Sequence, residues 1–145
     1  MYSIRQILRN KGPEVWTTSP DTTVYEALQL MKEKDIGALP VVEGGRLVGM
    51  FSERDYARRV ILEGRSSHDT PVRAIMTERV FVIPPDRTTE ECMALMTQKH
   101  IRHLPVVDAE GRMIGLVSIG DVVKAVIDDQ EFVIEQLENY ITGER

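Results

Sequence analysis

Leu39-Pro40-Val41-Val42-Glu43-Gly44-Gly45-Arg46-Leu47-Val48-Gly49-Met50-Phe51-Ser52-Glu53-Arg54-Asp55 returns further along the chain as Leu104-Pro105-Val106-Val107-Asp108-Ala109-Glu110-Gly111-Arg112-Met113-Ile114-Gly115-Leu116-Val117-Ser118-Ile119-Gly120-Asp121. In each copy two near-continuous apolar runs flank a glycine turn, the pattern of a buried hairpin. Pro40 and Pro105 lie 65 residues apart, whereas Gly49 and Gly115 lie 66 apart. The extra residue falls in the turn, where insertions cost least, so the likeness reads as a duplication.

Working outward, Asp21-Thr22-Thr23-Val24-Tyr25-Glu26-Ala27-Leu28 matches Asp86-Arg87-Thr88-Thr89-Glu90-Glu91-Cys92-Met93. Thr23 with Glu26, and Thr88 with Glu91, have capping-box spacing and predict helix starts. Apolar stripes follow, at Val24, Leu28 and Met31 in one copy and at Cys92, Leu95 and Met96 in the other. Val15-Trp16-Thr17 and Val80-Phe81-Val82-Ile83 are β-prone runs that stop at Pro20 and Pro84-Pro85. Two lead-in segments, Ile4–Leu8 and Val72–Met76, also match. Asp55 and Asp121 are read as N-caps of further helices, and 121–141 as one long helix.

The expected fold class is therefore α+β: two β-α-β-β-α repeats packed about a pseudo-twofold axis, with a long C-terminal helix. Repeat one with its lead-in is placed at 1–62, a polar, glycine-containing linker at 63–71 and repeat two at 72–126. A helical extension completes the chain at 127–145.

The 145 residues carry a formal charge of −5, with 28% charged side chains and one cysteine. An acidic balance disfavours nucleic acid as a partner, since phosphate neutralisation needs a basic stripe. No apolar run approaches the roughly 20 residues of a membrane span. Met1–Lys11 has no cleavable signal pattern, and a lone Cys92 suits a reducing compartment, so a cytoplasmic location is expected.

The motif Gly-hydrophobic-hydrophobic-Ser-x-x-Asp occurs at Gly49–Asp55 and at Gly115–Asp121, each after Leu-Pro-Val-Val. In this the chain resembles the CBS domain family over both repeats, from about Ile4 to about Val126. The resemblance implies a stand-alone tandem pair with up to two clefts for adenine nucleotides, AMP before NAD or ATP, and no required cofactor. It implies that Asp55 and Asp121 hold ribose hydroxyls, and that Ser52 and Ser118 lie near a phosphate. A carboxylate can accept two bonds from a vicinal diol, and a helix N-terminus favours an anion.

By the family pattern each cleft joins the Asp of one repeat to the segment before Leu-Pro of the other. Asp55 then goes with Arg102 and His103, with Arg54 and Arg58 nearby as further phosphate donors. Asp121 goes with Gly37 and Ala38, so the second cleft is expected to lack a cationic clamp. Thr18, Leu39, Leu104 and Pro105 complete the implied nucleotide-binding set.

His68, His100, His103 and Cys92 have no metal-site spacing, and no metal is expected. No nucleophile–base grouping, paired-carboxylate motif or phosphate loop is present, so no enzyme activity is expected. Trp16 matches Phe81 and is read as a core or interface residue. The expected partners are a second copy, forming a homodimer, and an effector protein. A purely structural dimerisation module with non-functional clefts is the alternative.

Overall fold

The computed structural model describes residues 2–142, with the Thr142 side chain left aside. Helix α1 (Ile4–Lys11) leads to α2 (Val24–Lys34) and the hairpin β1 (Ala38–Glu43) and β2 (Arg46–Ser52). A short α3 (Glu53–Tyr56) then widens into a π-helical stretch, Ala57–Ile61, and a 3₁₀ turn follows at Val72–Ala74. The second copy runs α4 (Thr89–Lys99), β3 (His103–Val107), β4 (Met113–Ser118) and α5 (Ile119–Thr142).

The two hairpins are near replicas. Leu39 faces Phe51 as Leu104 faces Val117, and each register slips by one residue after Val41 or Val106. That slip leaves Val48 and Ile114 as equivalent bulged residues. Gly44 and Gly45 have φ of 61° and 79°. Such angles suit a two-residue turn whose twist matches the strands. The longer second turn is closed by Asp108, whose Oδ1 accepts from the backbone of Glu110 and Arg112. The pseudo-twofold passes between Arg46 and Arg112, equivalent residues that bridge to each other in antiparallel fashion.

Both first helices start as their sequences require. Thr88 and Glu91 form a reciprocal capping box, whereas at Thr23 only the hydroxyl-to-Glu26 half is made. Asp35 and His100 end α2 and α4 in the left-handed conformation. The expected opening strands shrink to one parallel bridge each, Thr18 to Val41 and Ile83 to Val106. Each run has a neighbour on one side only, and prolines follow at once, so little ladder can form. Trp16 is not in the core. It is 36% exposed and Phe81 is 45% exposed. Lys34 covers the Trp16 ring at 4.1 Å, and Lys99 the Phe81 ring at 5.2 Å.

Packing does not follow chain order. Ile4 and Ile7 of α1 enter the second repeat's core, with Cys92, Leu104, Val117 and Val122. Val72, Ile75 and Met76 enter the first repeat's core, with Val24, Leu39 and Phe51. Each lead-in thus closes the other hairpin's repeat: Leu8 lies over Gly115, and Met76 over Gly49. A Cβ on Gly115 would come within 2.6 Å of Leu8, and one on Gly49 within 2.6 Å of the Met76 sulfur.

The polar stretch 63–71 is tied down: the backbone N–H groups of Val24 and Tyr25 donate to Thr70 and Ser67. Among the described residues no helix is long and apolar enough to cross a membrane. From Ile127 onward α5 exposes Ile127, Phe132, Val133, Ile134, Leu137, Tyr140 and Ile141.

Candidate functional site

Each motif joins the end of a hairpin to the first turn of a helix. Neither motif aspartate is an N-cap. Ser52 caps α3, and Asp55 sits three residues inside, accepting from the Ser52 N–H at 2.9 Å while its own N–H donates to the Ser52 hydroxyl. Ser118 and Asp121 exchange the same two bonds at the start of α5. Serine is the shorter side chain and reaches forward to the third N–H, and the aspartate reaches back, which is a capping box.

Beyond this shared frame the two carboxylates differ. Asp55 is 9% exposed. Its Oδ2 accepts from the Ser52 N–H and hydroxyl, and its Oδ1 from the Thr77 hydroxyl at 3.1 Å. Thr77 lies at the end of the lead-in that crosses to this repeat, and it also pairs with Met50 through the backbone. Asp121 is more open. Its Oδ2 accepts from Ser118 N–H and from Lys11 Nζ at 2.8 Å, so Oδ1 is left as the acceptor outside that set. Lys11, the last residue of α1, also donates to the Leu116 carbonyl at 2.8 Å. Burial pushes the Asp121 carboxyl up, but the bonds from Lys11 and Ser118 together outweigh it and hold it below its usual range.

Asp121, expected beside Gly37 and Ala38 with no cationic clamp, has the Lys11 ammonium at 2.8 Å. No local signal points to it, because Lys11 and Asp121 are 110 residues apart and meet only when α1 packs on the second repeat.

The segments before Leu-Pro bond within their own repeats. The Gly37 carbonyl accepts from Glu53 N–H, and the Arg102 carbonyl from Ile119 N–H. Ala38 faces Ser52 and His103 faces Ser118 across the hairpins. His103 feels charges from both repeats. Burial is the main cause that lowers its pKa; Lys11 and Arg102 add to the lowering, while Asp121 and Glu53 oppose it. Arg54, Arg58 and Arg102 are exposed, and Arg58 falls in the π-helical stretch, off the α-helical spacing from Arg54. Arg59, by contrast, donates to the carbonyls of Ile75 and Met76. Leu39 and Leu104 are fully buried below the strands. Thr18 exchanges backbone bonds with Pro40 and Val42, and Pro105 accepts from Ile83.

The arrangement can hold a neutral diol and an anion side by side. Asp121 offers an acceptor, and Lys11, His103 and the first turn of a 24-residue helix offer donors.

Comparison with known proteins shows the family. The sequence profile of the CBS domain matches residues 4–62 and 72–128. The chain is 41% identical over 151 residues to the CBS domain-containing protein CBSX3, mitochondrial, of Arabidopsis thaliana, covering 97% of this chain and 72% of that one. A solved protein with CBS domains from Burkholderia ambifaria superposes with a TM-score of 0.83 at 50% identity, covering 89% of this chain and 96% of that chain. The CBS domain pair of protein MJ0100, solved in complex with 5′-methylthioadenosine and S-adenosyl-L-methionine, has a TM-score of 0.76 at 24% identity, covering 89% and 98%.

Proposed function

Because this chain belongs to the CBS domain family and carries the domain twice, we propose that it is a regulatory module that binds an adenine nucleotide, AMP foremost, in the clefts between its repeats. The observation that carries the reading is the Asp121 site, where a carboxylate acceptor and one cationic donor, Lys11, meet at a helix start. That the same fold holds two adenosine derivatives in the MJ0100 pair supports it. Grouping Asp55 with Arg102 and His103 is part of the proposal and rests on the family pattern, with His103 feeling the charge of Asp121 before that of Glu53. Binding would shift the packing of the repeats, and an effector protein would read that shift. The module itself turns nothing over.

A homodimer belongs to the same proposal. The apolar residues that α5 leaves exposed favour a second copy as their cover. This face also favours the alternative of a dimerisation module whose clefts are idle. A cytoplasmic setting is proposed on the lone buried thiol, Cys92.

Thermal unfolding with AMP, ADP, ATP, NAD, NADH and S-adenosyl methionine decides between the two readings. A nucleotide module gains stability with ligand concentration, and idle clefts give none. Calorimetric titration of Arg102→Ala then tests the first cleft: AMP weakens and adenosine does not. Equal losses would place the phosphate elsewhere.

A further inference from the structure

We propose that Lys11 makes the second cleft selective for phosphate-bearing ligands, by occupying Asp121 when the cleft is empty and passing to the phosphate when it is filled; the inference rests on the nucleotide reading above. Lys11 holds two acceptors at once, Asp121 Oδ2 and the Leu116 carbonyl, both at 2.8 Å. Its side chain is 36% exposed and that of Asp121 24%. The pair is accessible enough for a ligand to compete, and dry enough for the competition to cost. The Leu116 carbonyl keeps the ammonium tethered at the cleft when the carboxylate is taken. A ribose that engages both Asp121 oxygens must displace or share the Lys11 contact. Adenosine offers the freed ammonium nothing in return, whereas a phosphate offers a stronger partner than the one lost.

Lys11 is therefore a competitor of neutral nucleosides and a ligand of charged ones. Its place at the end of α1, next to Gly12, also couples the cleft to the lead-in helix. Ile4 and Ile7 root that helix in the second repeat's core. A ligand that draws Lys11 off Asp121 removes the polar clasp between α1 and α5.

The test is calorimetric titration of adenosine and of AMP into the full chain and into Lys11→Met, Lys11→Arg, Asp121→Asn and the double variant Lys11→Met/Asp121→Asn. Lys11→Met should bind adenosine about threefold to tenfold more tightly and AMP more weakly by a similar factor, the size expected of a partly exposed ion pair. Lys11→Arg should keep the preference for AMP. In the Asp121→Asn background the gain for adenosine should vanish. Without ligand, the His103 pKa followed by NMR should rise in Lys11→Met, since the ammonium now lowers it. An unchanged ratio of AMP to adenosine affinity in Lys11→Met, or an unmoved His103 pKa, overturns the inference alone. Failure of the unaltered chain to bind either ligand overturns the nucleotide reading and the inference with it.

Discussion

Asp55→Ala should destabilise the fold more than Asp121→Ala, although the two residues occupy the same position of the repeated motif. Both substitutions remove the bond that returns to the capping serine, a loss of about 1 kcal/mol each. Asp55→Ala also removes the bond from the Thr77 hydroxyl. That bond goes to a charged acceptor only 9% exposed, a class worth about 1.5–3 kcal/mol. Asp121→Ala removes instead the Lys11 pair, which is about a third in solvent and worth about 0.2–1 kcal/mol. The totals are about 2.5–4 kcal/mol for Asp55 and about 1–2 kcal/mol for Asp121. Urea unfolding at pH 7, with both variants keeping the parent's m-value, measures the difference directly. Thr77→Val should reproduce part of the Asp55 loss and be non-additive with it. Equal losses at the two aspartates, or additivity of Asp55 and Thr77, would refute the reasoning that Thr77 ties Asp55 into the fold more tightly than Lys11 ties Asp121.

Gly49→Ala should cost more than Gly115→Ala, by urea unfolding, within a range of about 1–3 kcal/mol for overpacking. The new methyl at Gly49 meets the Thr77 carbonyl at 3.0 Å as well as Met76, while at Gly115 its three nearest atoms all belong to the flexible Leu8 side chain. His103 is held below its usual pKa chiefly by burial, so the unfolded chain binds the proton more readily than the folded one. Its contribution to stability should be complete above an unfolded pKa of about 6.5 and fall as pH drops toward the folded value; His103→Gln should flatten that part of the stability–pH curve. Cys92 is fully buried and its thiol is pushed up to about 11. Ellman's reagent should therefore leave it unmodified in the native protein and react at once in urea, and prompt native reaction would place Cys92 outside the core.

Much of this architecture is legible along the chain, because the features that specify it are local. A hairpin needs two apolar runs and a turn, and a capped helix needs Thr-x-x-Glu. Such signals sit within a few residues of each other and occur twice, so Leu39–Asp55 and Leu104–Asp121 announce both repeats and both motif aspartates. The reading fails where a residue's role depends on what arrives from elsewhere. The opening strands reduce to Thr18 and Ile83 because their length depends on neighbours, not on their own β-propensity. Trp16 stays outside the core, its ring covered by the Lys34 ammonium. The roles of Asp55 and Asp121 part company through Thr77 and Lys11, neither of which lies near its partner in sequence. A capping box is written in four residues. A charge pair across 110 residues forms only after apolar packing has laid α1 on the second repeat, and that packing alone decides which aspartate meets a cation.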